Sequence, residues 1–154
     1  MLTYLLIIFV IAIALVPLTS LRPSKRQREI ARMREYAAVH GLFVEFRGVP
    51  GRDSGRIRSR DSAGHDTIYY GKRLPPAKQK KPEQVRAWLS GAEGWVGLER
   101  RLAVPESLAH LPAQVLAASV DEGSCGIYWR ESGGVEAVEQ IRQVLEAWAG
   151  QLRA

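Results

Sequence analysis

Few side chains in this sequence are suited to covalent or acid–base chemistry, and their spacing keeps them apart. His40, His65 and His110 lie in three separate segments, none at ligand spacing from another or from Cys125, so no metal motif forms. Cys125 opens an apolar run, where a thiol ordinarily packs as a small core residue rather than serving as a nucleophile. Gly91, Gly94 and Gly97 recur every third residue. They do not follow a strand and open a helix, as a phosphate-cradling loop must, and read as turn glycines. No catalytic set, cofactor site or metal site is expected, and the chain reads as non-enzymatic.

The remaining chemistry is cationic. Arg52, Arg56, Arg58 and Arg60 fall in a stretch that also holds Asp53, Asp61, Asp66 and His65. Arginine's planar fork suits a phosphate or nucleic-acid backbone, but the interleaved aspartates favour a surface loop that largely neutralises itself. Lys72 and Arg73, followed by Lys78, Lys80 and Lys81, form a second cluster beside Tyr69 and Tyr70, an arrangement able to stack on single-stranded bases. A nucleic-acid or phosphate contact through Arg52, Arg56, Arg58, Arg60, Lys72 and Arg73 is therefore the alternative reading. Of the four tryptophans, Trp129 and Trp148 are expected in the core, while Trp88 and Trp95 are expected to be partly exposed.

The elements around these residues begin with an apolar segment. From Leu2 to Leu21 there is no charged side chain. As a helix these residues rise about 30 Å, the thickness of a bilayer's hydrocarbon core, and the sequence predicts a transmembrane helix over residues 1–21. Arg22, Lys25, Arg26, Arg28, Arg32 and Arg34 follow, against only Glu29 and Glu35. Basic flanks stay on the cytoplasmic side. The expected placement is a single pass through a bacterial inner membrane, with the N-terminus outside and the remainder cytoplasmic. From Arg22 to Arg86 there are 17 Lys and Arg against 7 Asp and Glu, whereas from Ala87 onward there are 5 against 9. A basic half beside anionic headgroups makes the lipid bilayer the first expected partner, through Arg22, Lys25, Arg26, Arg28 and Arg32. A membrane-protein partner is also expected, with nucleic acid ranked below both. The single cysteine excludes an intrachain disulfide.

Ser24 is placed to cap a basic juxtamembrane helix, residues 22–41, with Ile30, Met33 and Ala37 on one stripe and Gly41 as its terminus. Residues 42–154 read as one small α+β domain. Leu42–Arg47 alternates as a half-buried strand, Thr67–Arg73 is a second strand, and Arg56–Arg60 is a potential partner for it. Glu83–Leu89 is expected as a short helix, Trp95–Arg101 as a strand, and Pro105 as the start of another short helix. Val115–Val120 and Cys125–Glu131 flank the turn Asp121-Glu122-Gly123-Ser124 as a hairpin. After Gly133 and Gly134, the spacing of Val138, Ile141, Leu145, Trp148 and Leu152 gives an amphipathic helix. The fold class expected is thus α+β, an N-terminal transmembrane helix followed by antiparallel strands with the C-terminal amphipathic helix packed on one face.

The apolar span running into Leu21-Arg22-Pro23, with Lys25, Arg26 and Arg28 behind it, resembles the YajC-type accessory subunit of the bacterial preprotein translocase. That resemblance covers about residues 16–34 and implies a single span, a small cytoplasmic β-rich domain and a helper role near the translocon. The chain departs from the family's pattern in its longer domain and its later helices. The function expected is an interaction or scaffold module, accessory to a membrane complex if the resemblance is kinship.

Overall fold

A computed structural model describes residues 1–19, 23–51, 67–76 and 85–153, with side chains from 1–16, 23–51, 67–76 and 85–152. The first element, α1 (Leu2–Thr19), is an 18-residue helix whose apolar side chains are exposed on every side, from 47% at Ile7 to 84% at Leu2. Its described residues run to Thr19, and eighteen residues rise only about 27 Å. Among the described residues no helix is long and apolar enough to cross a membrane. This overturns the transmembrane helix, and with it the single-pass inner-membrane placement with a cytoplasmic domain.

Helix α2 (Lys25–Val39) starts at Ser24 through a capping box. The Gln27 amide donates to Ser24 Oγ at 3.2 Å and the Ser24 amide to Gln27 Oε1 at 2.9 Å, satisfying two amides that a helix start otherwise leaves free. Gly41 then turns the chain at φ +77°, a conformation open to a residue without Cβ, and β1 (Leu42–Glu45) follows. The other strands are β2 (Thr67–Arg73), β3 (Arg86–Gly91), β4 (Gly94–Gly97), β5 (Val115–Val120) and β6 (Ser124–Arg130), and the last helix is α3 (Gly134–Arg153). All six strands form one antiparallel sheet in the order β1-β2-β6-β5-β3-β4.

Two local expectations are corrected by sheet pairing. Glu83–Leu89 was expected to be helical, yet Arg86–Gly91 is a strand hydrogen-bonded on both sides, to β4 and to β5. Its period is two, with Trp88 facing the helices and Ala87 and Leu89 facing away, and pairing overrides a weak local propensity. The segment from Pro105 forms a single 3-10 turn, Glu106–His110, rather than an α-helix. The Arg56–Arg60 strand lies outside the described residues.

One face of the sheet packs under α2, α3 and the 3-10 turn. Met33 and Ala37 from α2 meet Leu42, Ile68, Tyr70, Ile127 and Trp129 from the strands, and Val138, Ile141, Leu145 and Trp148 from α3. Trp88, expected to be partly exposed, is buried here, stacked edge-on against Trp148 at 5.5 Å with its Nε1 donating to the Ala103 carbonyl at 3.0 Å. The indole thus satisfies its one donor on leaving water.

The opposite face holds a smaller cluster, Tyr69, Ala117 and Tyr128, flanked by Phe43, Val49 and Leu89. Gly71 and Gly126 stand opposite each other in the β2–β6 ladder. A Cβ on Gly71 would reach 2.6 Å from both the Phe43 and Tyr69 rings, and one on Gly126 would strike Tyr69. The paired glycines therefore let these rings lie down on the strands. Beyond β1 the chain carries Val49 onto this cluster and brings Gly51 against Leu98, just past β4.

Candidate functional site

Among the described residues, the cations named in the sequence do not assemble. Lys25, Arg26, Arg28 and Arg32 are exposed along α2, while Arg22 lies outside the described residues. Without a membrane-spanning helix beside them, their assignment to lipid headgroups loses the anchor it was argued from. Arg34, counted in the same cluster, is committed internally. Its Nε and Nη2 donate to the two carboxylate oxygens of Glu131, both at 2.7 Å, and the Tyr70 hydroxyl donates to the same carboxylate at 2.9 Å. The Glu131 side chain is only 6% exposed. Its hydrogen bond holds the Arg34 guanidinium above its ordinary range, and burial, with the Glu131 charge, pushes the Tyr70 hydroxyl far up. A second tie joins Tyr36 to Glu139 at 2.7 Å, with Arg142 bracing Glu139 and Glu146. Helix α2 is thereby fastened to the sheet and to α3.

Lys72 and Arg73, adjacent in sequence, point to opposite faces because strand side chains alternate. Lys72 lies on the helix side and donates to Glu146 of α3 at 2.8 Å. Arg73 emerges on the other face. Arg52, Arg56, Arg58 and Arg60, with His65, Lys78, Lys80 and Lys81, lie outside the described residues, so the phosphate or nucleic-acid reading keeps only Arg73 as a described, uncommitted cation.

Arg73 lines an open groove of about 220 Å³ with Phe43, Glu45, Arg47, Asp121, Gly123 and Ser124. The end of β1 supplies Phe43 and Glu45, β2 supplies Arg73, and the β5–β6 turn supplies the rest apart from Arg47. That turn is held by Asp121 Oδ1, which accepts from the amides of Gly123 and Ser124 at 2.9 and 2.6 Å. Arg47 donates through Nε to Glu45 at 2.7 Å and through Nη1 to Asp121 Oδ2 at 3.2 Å. Its guanidinium also lies 4.4 Å from the centre of the Tyr69 ring. The guanidiniums of Arg47 and Arg73 approach the Phe43 ring at 5.9 and 5.7 Å. Burial pushes the Tyr69 hydroxyl up to about 12, opposed by its Ser124 hydrogen bond and by Arg47. Tyr69 therefore stays protonated near neutrality, and among the described residues no histidine or thiol lines the groove. The arrangement suits binding rather than proton transfer.

Sequence reasoning missed Phe43, Glu45, Arg47, Asp121 and Ser124 as a group. The only local signal was the Asp121–Ser124 turn itself, since Arg47 meets Asp121 across 74 positions. Of the described histidines, His40 stacks on Tyr36 at 4.0 Å and His110 ends the 3-10 turn. Cys125 is buried. Among the described residues no group of His, Cys, Asp or Glu is placed to hold a metal ion.

Comparison with protein-family models, with curated proteins and with solved structures gives no match. The resemblance to the translocase accessory subunit accordingly rests on the sequence around Leu21-Arg22-Pro23 alone.

Proposed function

We propose that this chain is a non-enzymatic interaction module, an α+β platform that carries a docking helix. The observation that supports this is α1, which leaves eleven Leu, Ile, Val and Phe side chains from Leu2 to Val16 between 47% and 84% exposed. Burying what remains of each contributes about 1 kcal/mol, so the helix as a whole offers on the order of 10 kcal/mol. That sum is comparable with the cost of bringing two macromolecules together. A helix apolar on all sides needs neighbours on all sides, which a bundle of like helices supplies. The first partner for α1 is therefore α1 of further copies of the chain.

The platform suits this role. The Arg34–Glu131–Tyr70 and Tyr36–Glu139 ties fix α2, the helix that follows α1, to the sheet and to α3. The test places a charge in the docking surface. With Ile7→Lys and Ile11→Lys together, the complexes seen by size-exclusion chromatography with light scattering should fall to monomer while the domain's melting temperature stays unchanged. Complexes of unaltered mass in the double variant would refute the reading.

A further inference from the structure

The groove beside β1 contains a charge arrangement that none of the structural ties explains. Glu45, Arg47 and Asp121 form a closed triad, two carboxylates sharing one guanidinium, and carry one net negative charge. Arg73 is exposed in the same groove and, among the described residues, has no carboxylate within ion-pairing distance. Its only described contact is the Phe43 ring. In the β1–β2 register Phe43 stands opposite Gly71, so Arg73 and Glu45 leave on opposite sides of that ring. Among the described residues the groove is therefore electrically dipolar, with a cation that has no carboxylate partner at one end and an acidic triad at the other.

This decides among ligand classes. A simple anion would meet one guanidinium but also the net negative triad, while a simple cation would meet the reverse. A small molecule carrying both charges gains at both ends. The volume of about 220 Å³ falls below that of pockets for drug-sized ligands and suits a compact head group. Arginine's fork takes a carboxylate with two parallel hydrogen bonds, and Glu45, 46% exposed at its side chain, is open to an ammonium.

We propose that this groove is a binding site for a small zwitterion of the α-amino-acid class. Its carboxylate sits on Arg73, its ammonium sits against Glu45, and its α-carbon lies over Phe43. This does not rest on the docking role of α1.

The test uses the whole chain, with the Gly123 and Ser124 amides followed by NMR during titration with glycine, acetate and methylammonium separately. Glycine should give saturable shifts with Kd on the order of 1–10 mM. Acetate and methylammonium should each bind at least about tenfold more weakly, the loss of one charged contact. Arg73→Gln and Glu45→Gln should each weaken glycine by a similar factor without moving the melting temperature, while Arg100→Gln should leave it unchanged. Absence of saturable shifts with glycine, or acetate binding as well as glycine, would overturn the proposal. So would undiminished glycine binding in Arg73→Gln.

Discussion

Glu131→Ala is the substitution that most sharply tests how α2 is held. Glu131 accepts two hydrogen bonds from Arg34 and one from Tyr70, so truncation strands a guanidinium and a buried hydroxyl together. Breaking a fully buried pair costs about 3–5 kcal/mol. Arg34 keeps 37% of its side-chain exposure and recovers part of that from water, which lowers the expected loss to about 2–3 kcal/mol. For a domain of this size that is a fall in Tm of about 6–12 °C, read by circular dichroism. Glu131→Gln keeps an acceptor for Tyr70 and should cost less, about 1–2 kcal/mol. A double-mutant cycle with Arg34→Ala should return a coupling of about 1–2 kcal/mol. The exposed pair Glu45–Arg47 is the control, and Glu45→Ala should cost under about 1 kcal/mol. If Glu131→Ala unfolds within about 0.5 kcal/mol of the parent, the Glu131 tie is incidental to how α2 is held.

Gly126→Ala should lose about 1–3 kcal/mol because its Cβ runs into Tyr69 in a packed layer. Gly123→Ala, whose Cβ would meet only Asp121 at 3.8 Å, should lose far less, and chemical denaturation of the pair compares them. The folded state holds Glu139 well below the usual carboxylate range, first through its hydrogen bond from Arg142, and lowers Glu146, first through Lys72. A depressed folded pKa gives stability that is present above the unfolded value of 4.5 and lost as pH falls through the folded one. Tm should therefore drop below about pH 4.5, and Arg142→Gln should flatten that drop; an unchanged acid profile would contradict the tie. Tyr69 and Tyr70 are raised from 10, Tyr69 to about 12, chiefly by burial. The stability this gives is complete below pH 10 and lost above it. Absorbance titration should show Tyr69 and Tyr70 ionising only as the domain unfolds, and ionisation of either while the fold is intact would contradict their burial.

Much of the domain was legible because its signals are local. Ser24, Gly41, the Val115–Arg130 hairpin and the α3 stripe each lie within a few residues of what they specify. The β3 error came from the reverse situation. Arg86–Gly91 has no strong propensity of its own, and partners on either side make it a strand. The count of the basic half took charges without their partners: Arg34 and Lys72 are paired with Glu131 and Glu146. The groove was invisible for the same reason, its residues converging from three places in the chain. The membrane reading took twenty apolar residues as one span, whereas among the described residues the helix has eighteen and is not long and apolar enough to cross a membrane.

Sedimentation equilibrium of the full chain against the same chain lacking Leu2–Thr19 tests the docking role of α1 most directly. The full chain should form an oligomer whose mass rises with concentration, and the shortened chain should be monomeric with its melting temperature retained. A monodisperse full-length monomer, or a chain that leaves solution for lipid vesicles as a monomer, would contradict it.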